Sequence, residues 1–346
     1  FVRKSDRAFT PDNLSERIHR LVARLKNLGY LGARLTSRKV ERDDATGAVN
    51  VDLRFDQGPL YKVGAYEVVT RRQGEVIDRE TRSPVDTPDT LDWRRDVRQE
   101  RINAAYRQGF PDVKISQEVT AESSPEDGIV ERDYRFTVEQ GQKAIIGDIV
   151  FAGDPDVKDS ILRRQTDLRR GELLDYLQVS QGRRKLMALG VFGEVNLRLG
   201  EPDAEGRRDV VYELKPGLRE QVSFLAGWGS YELARVGMHW QLNNPFRRAH
   251  RIDLEAKQSF KATSVRGTYG IPQIFGTEVT SFTQGGYLFR EEISFDRELA
   301  GISTGTTSNP SFLPGLTTGL EYGIESQRAI RDDDQGFDSR ENAVVA

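Results

Sequence analysis

Hydrophobic and polar positions fall into two regimes that change at Pro216. Before it, apolar residues recur at helical spacing and then alternate; after it, only the alternation persists. The first helical run carries Leu14, Ile18, Leu21, Val22, Leu25 and Leu28. Its counterparts are Val97, Ile102, Ala105 and Tyr106, and then Leu173, Leu177, Leu186 and Leu189. Each run stops at a glycine, in "LKNLGYLGARL" (25–35), "AYRQGFPDVKI" (105–115) and "LMALGVFGEV" (186–195). Glycine ends a helix in the left-handed conformation without a Cβ penalty. The residue that follows is expected to turn back onto a core: Tyr30, Phe110, and Val191 with Phe192. A strand, a polar turn and a second strand come next. The second strands, "VNVDLRFDQG", "RDYRFTVEQG" and "DVVYELKPG", close on Gly58, Gly141 and Gly217.

The joint glycines Gly29, Gly109 and Gly190 are spaced by 80 and 81 residues. That period marks an array of small domains, because solenoid repeats run about 20 to 50 residues. "YKVGAYEVV" and "KAIIGDIVFAGD" supply an opening strand to the second and third units, so the unit reads strand, helix, helix, strand, strand (β-α-α-β-β). The expected modules are residues 1–62, lacking a clear opening strand, then 63–143 and 144–217.

Past Pro216 the alternating faces are Val222, Phe224, Ala226 and Trp228, then Val236, Met238, Trp240 and Leu242. Ile252, Leu254, Ala256 and Phe260 follow, then Val265, Tyr269 and Ile271. A fifth run spans Val279 to Phe289, a weaker sixth lies near Leu299 to Gly305, and a seventh holds Leu316, Leu320, Tyr322 and Ile324. Ser, Thr, Gly, Gln, His and Lys lie between them. Segments of about ten residues with two unlike faces, aromatics near strand ends and turns between predict an antiparallel transmembrane β-barrel over residues 218–346. A soluble β-sandwich also alternates and is the competing architecture. Compact turns, "NNPFRR" (243–248) and "PQIFG" (272–276), are expected to alternate with a longer charged link, "REEISFDRE" (290–298).

Composition narrows the chemistry. Of 346 residues, 51 are basic and 54 acidic, a net charge of −3, which leaves no global footprint for nucleic acid. With no cysteine there is no disulfide, no Cys-ligated metal and no Cys nucleophile. No stretch reaches the roughly 18 to 20 apolar residues of a spanning helix. The opening Phe-Val-Arg-Lys, without initiator Met or signal peptide, reads as the start of a mature or excised chain. "GISTG" (301–305) matches the nucleophile elbow, but that motif needs a following helix and none is signalled. His19, His239 and His250 lack a ligand-pair spacing. "RDDDQGFDSRE" (331–341) lacks the order of an EF-hand and reads as a solvated loop. No metal, cofactor or enzymatic activity is expected.

Modules of this order joined by "GY" or "GF", closing on a glycine turn and followed by barrel strands, resemble the outer-membrane protein assembly superfamily, whose periplasmic modules are called POTRA domains. Within it, "GWGSYELARVG" (227–237) and "LNNPFRRAHRIDL" (242–254) are most similar to the barrel subunit of the translocation and assembly module, which also has three modules. The resemblance covers essentially the whole chain. The family's barrel has about 16 strands, in the even-numbered range of bacterial barrels, and this sequence offers seven. An open barrel leaves an edge that lipid does not tolerate, so the remainder is expected to lie outside this sequence or to be supplied by another chain.

The resemblance implies an assembly factor that inserts outer-membrane protein clients without a cofactor, with its modules in the periplasm. The alternative is a secretion pore of the two-partner type. Unfolded clients, outer-membrane lipid and an inner-membrane-anchored partner are the implied contacts. An edge strand offers unpaired N–H and C=O groups to an extended chain. The expected client-binding edges are Leu31–Val40, Val113–Val119 and Val195–Leu199, with Leu31, Leu35, Val113, Ile115, Val119, Val195 and Leu197 as candidates. The seam strand is Gln221–Trp228, with Val222, Phe224, Ala226, Gly227 and Trp228. Glycine there weakens pairing and permits a labile seam.

Overall fold

A computed structural model describes residues 10–43, 45–153, 155–272, 274, 277, 279–292, 295–309, 313, 315–330 and 341–345. It divides into two units: the chain through Ala144 together with Leu173–Leu177, and Ile145–Glu172 together with everything from Gln178.

In the first unit, helix α1 (Pro11–Asn27) starts where the Thr10 hydroxyl accepts from the Asn13 amide at 3.1 Å. It is followed by the two-stranded ribbon β1 (Arg34–Arg42) and β2 (Val49–Asp56). Among the described residues this ribbon has two strands; α1 buries Ile18, and Tyr30 is half-buried. The complete module that follows comprises β3 (Leu60–Arg72), β4 (Glu75–Arg82), α2 (Leu91–Arg107), β5 (Lys114–Glu122) and β6 (Ile129–Glu139), with sheet order β4-β3-β6-β5. Strand β3 runs parallel to β6, and the other pairings are antiparallel. Val63, Tyr66, Val68, Val97, Tyr134, Phe136 and Val138 form its core, with Trp93 edge-on to Tyr66 at 5.5 Å.

Here the expected element order needs correction. Where the first helix of this module was expected, the chain makes strand β4. The cause is the two-residue turn Gln73–Gly74, both at positive φ (51° and 86°), which matches the twist of an antiparallel hairpin and returns the chain along β3.

The second unit has the expected order: β7 (Ile145–Gly153), α3 (Asp159–Thr166), α4 (Tyr176–Ala188), β8 (Phe192–Leu199) and β9 (Arg207–Pro216), with sheet order β7-β9-β8. Leu173 and Leu189 flank α4 rather than lie in it. The Tyr212 ring stacks on Phe151 at 5.8 Å, and its hydroxyl donates to the Val179 carbonyl at 2.8 Å.

The two complete modules share a device that periodicity does not reveal. Strands β3 and β7 each bulge at a glycine, Gly64 and Gly147. The Asp133 carboxylate accepts from the Ala65 amide, and the Asp209 carboxylate from the Asp148 amide, each at 2.7 Å. A Cβ on either glycine would lie 2.5 Å from that carboxylate.

From Glu220 the chain forms an eight-stranded antiparallel meander in sequence order. Its strands are β10 (Glu220–Gly229), β11 (Leu233–Asn243), β12 (Arg251–Ser259), β13 (Ala262–Ile271), β14 (Val279–Glu291), β15 (Asp296–Ser308), β16 (Thr318–Ile330) and β17 (Glu341–Val345). The sheet does not close; β10 and β17 are its edges. The seven expected segments are present, the weak sixth as a strand of 13 residues. An eighth, β17, was hidden behind the acidic run 331–340, which lies outside the described residues. The expected contrast of turns is reversed: only residues 292–295 join β14 to β15, whereas the links next to the third module span 244–250, 272–278 and 309–317. The charges of "REEISFDRE" sit at strand ends and pair there, Arg290 with Glu232 and Arg328 with Glu298.

Candidate client-binding edges and membrane wall

Strands β1, β5 and β8 all lie at sheet edges. Of the candidates, Leu35 lies on β1, Ile115 and Val119 on β5, and Val195 and Leu197 on β8. Leu31 falls in the turn ahead of β1, and Val113 stands one residue before β5, packed against the module core together with Ile115. Val195 is buried, while Val119 is exposed. Val113, Ile115 and Val195 thus pack inward on their own modules, while β5 and β8 remain at the edges of their sheets. Strand β4, at the opposite edge of its sheet, is a further edge that the helical expectation concealed.

The meander separates its side chains by chemistry. Register carries Val222, Phe224, Ala226 and Trp228 of β10 across to Trp240, Met238, Val236 and Ala234 of β11. The same face continues through Leu254 and Ala256, Val265, Tyr287, Ile302 and Ile324. Phe224, Trp228 and Leu320 are 80%, 73% and 77% exposed. Charges on this face stand only at strand ends: Glu220, Glu291, Asp296, Glu298 and Arg328. The opposite face carries Arg235, His239, Asp253, Glu255, Lys257, Arg266, Glu321 and Glu325. A trough of about 700 Å³ opens on that face beside Lys257, Arg266, Gln284 and Glu321. An apolar face charged only at its strand ends and backed by a charged one is the partition of a membrane-barrel wall; a soluble sandwich would bury the apolar face.

All ten residues of β10 pair with β11, leaving the other edge of β10 unpaired. Gly227 points to the charged face, where Arg235 lies over it: a Cβ there would come within 3.0 Å of the Arg235 Nε. The link 244–250, between β11 and β12, is fastened to the third module. Asn244 Nδ2 donates to the Asp156 carbonyl at 2.6 Å, Arg247 pairs with the Asp156 carboxylate at 2.9 Å, and the Lys158 amide donates to the Arg247 carbonyl at 3.0 Å. Asn244, Arg247 and Ala249 hold positive φ, a strained turn held by these bonds. In the same link, burial and the nearby Arg248 cation lower the pKa of His250, which bonds to the Tyr269 hydroxyl.

"GISTG" lies wholly inside β15, without the sharp turn or helix of a nucleophile elbow. Among the described residues no cluster of His, Asp and Glu suits a metal, and no helix is long and apolar enough to cross a membrane.

The POTRA family model, described as "Surface antigen variable number repeat", matches residues 144–217. The structure is similar to that of BamA from Haemophilus ducreyi lacking POTRA domains 1–3, with a TM-score of 0.54 and 16% identity over 76% of this chain. The chain spans about half the length of that structure, 53%. CdiB from Escherichia coli also matches, at a TM-score of 0.46 and 14% identity, over 99% of this chain and 63% of its own. Residues 144–217 match the POTRA family, and the fold of the chain is similar to that of this BamA structure. This POTRA module precedes an antiparallel sheet consistent with part of a β-barrel.

Proposed function

We propose that this chain is the periplasmic and seam-bearing portion of an outer-membrane assembly factor. It receives unfolded β-barrel or autotransporter clients on the backbone of the β1, β5 and β8 edges and delivers them to β10. The observation that carries this reading is the open edge of β10 on a sheet whose apolar face bears no charge away from its strand ends. A strand added there continues the ladder, brings its own apolar face into lipid and pairs the β10 backbone groups that the bilayer would otherwise leave bare. The three joint repeats favour the translocation-and-assembly subtype, whose inner-membrane-anchored partner would meet the first module. The charged inner face also suits a secretion conduit, the second reading.

Cysteine trapping tests it, since the chain has no native thiol to interfere. A client stalled during assembly and carrying one cysteine is expected to form disulfides with Ser223→Cys and Leu225→Cys on β10. It should not react with Ser303→Cys on β15, in the interior of the sheet. Equal trapping at all three positions points to passage through a lumen and contradicts the seam.

A further inference from the structure

The three joints are one socket, filled twice and open once. At the first joint, the amide of Tyr61 donates to the Gly29 carbonyl at 2.9 Å, and a Cβ on Gly29 would meet Leu60 Cδ1 at 2.9 Å. At the second, the amide of Ala144 donates to the Gly109 carbonyl at 2.8 Å, and a Cβ on Gly109 would meet Leu173 Cδ1 at 2.5 Å. In both, a backbone N–H and a leucine methyl from the following module occupy the glycine. The inserted strand is held on its far side as well: the Asp89 amide donates to the Tyr61 carbonyl, and the Leu174 amide to the Ala144 carbonyl.

Gly190 keeps the left-handed conformation, φ 72°, and the helix-ending bond from its amide to the Met187 carbonyl. Among the described residues nothing lies within 4 Å of a Cβ built on it, and no turn or loop amide donates to its carbonyl. The joint instead opens into a cleft of about 490 Å³. Ala188, Leu189 and Val191 form one side of this cleft. Thr268 and Phe282, on the charged face of the meander, and Pro272 form the other.

We propose that the open socket at Gly190 binds an extended polypeptide through one aliphatic side chain and the adjacent backbone N–H, and that its occupant is a client segment passing toward the inner face of the barrel. The two filled copies define this chemistry: a leucine methyl against the glycine and an amide on its carbonyl. The cleft extends from the joint onto the charged side of the wall, where a chain on that route would pass. The assignment of the occupant rests on the assembly reading above; the chemistry of the socket does not.

The probe is a fluorescent Ser/Thr peptide of about ten residues with one central leucine, titrated by anisotropy against the whole chain in detergent micelles. Replacing that leucine with aspartate, or N-methylating the amide beside it, should weaken binding about tenfold or more. Ala188→Trp fills the cleft from an exposed position at the end of α4 and should do the same. It also avoids the strain of placing a side chain on Gly190. Indifference of binding to the leucine, to the N-methyl group or to Ala188→Trp overturns the socket. A photo-crosslinker at residue 188 that captures this same chain rather than added peptide overturns the client assignment. If leucine-dependent binding holds while outer-membrane barrels assemble normally without the protein, the assembly reading falls and the socket stands.

Discussion

Single residues here often act against their usual propensities. Gly182, in the interior of α4, would ordinarily gain about 1 kcal/mol from replacement by alanine. A Cβ there would meet the Tyr212 hydroxyl at 2.6 Å and the Thr166 Cα at 3.3 Å, so Gly182→Ala should destabilise the third module by about 1–3 kcal/mol. Chemical unfolding of the whole chain, read by hydrogen exchange in α4, measures this; Gly182→Ala combined with Tyr212→Phe should recover part of the loss. In the second module the buried Asp89 carboxylate accepts from the Tyr134 hydroxyl at 2.6 Å and from Arg94 Nε at 2.7 Å. Burial, then the bond to Asp89, pushes the Tyr134 pKa up to about 12 from 10.0. The folded module therefore favours the neutral phenol. Its contribution is complete below pH 10 and is lost as the pH rises through about 12. Tyr134→Phe should cost about 1–2 kcal/mol at neutral pH and remove that alkaline component from a pH series of unfolding midpoints. Neither contact was legible in sequence, because both join residues whose proximity only the tertiary fold creates.

At the scale of elements, the glycine joints and the alternating strands were readable because each expresses one local rule, a left-handed helix end or a period of two. The helices ending at Gly29 and Gly109 close with paired bonds, Gly29 to Lys26 with Tyr30 to Leu25, and Gly109 to Tyr106 with Phe110 to Ala105, the geometry expected when glycine follows a helix. The miss at β4 has a local cause too: "RRQGEV" is a hairpin turn that an expectation carried over from the neighbouring repeat obscured. The edge positions of β1, β5 and β8 were legible as the strands that follow each glycine joint. What periodicity left out is that Val113 and Ile115 pack against their own module core and that Val195 is buried. The sign of a face can be tested directly. Val236→Lys, on the apolar face, should cost about 2–4 kcal/mol of stability in lipid vesicles, whereas Ser223→Lys on the charged face should cost about 1 or less. Urea titration in vesicles compares the two, and equal costs would return the meander to a soluble sheet.

Across the molecule, modules and wall each express one half of a single problem, the unpaired backbone of an extended chain. On the proposed assembly route, the module edges would offer hydrogen bonds where water competes, and the β10 edge would offer them where none does. The link 244–250 fastens the wall to the third module through Asn244 and Arg247. Asp156→Ala, which removes the ion pair with Arg247, should raise hydrogen exchange at Lys158 and through residues 244–250 while leaving β13 and β14 protected. The most direct measurement of the central claim is the outer-membrane proteome after depletion of the protein. The assembly account predicts selective loss of β-barrel or autotransporter proteins from that membrane. An unchanged set of barrels, with one exported protein retained inside the cell, would contradict it.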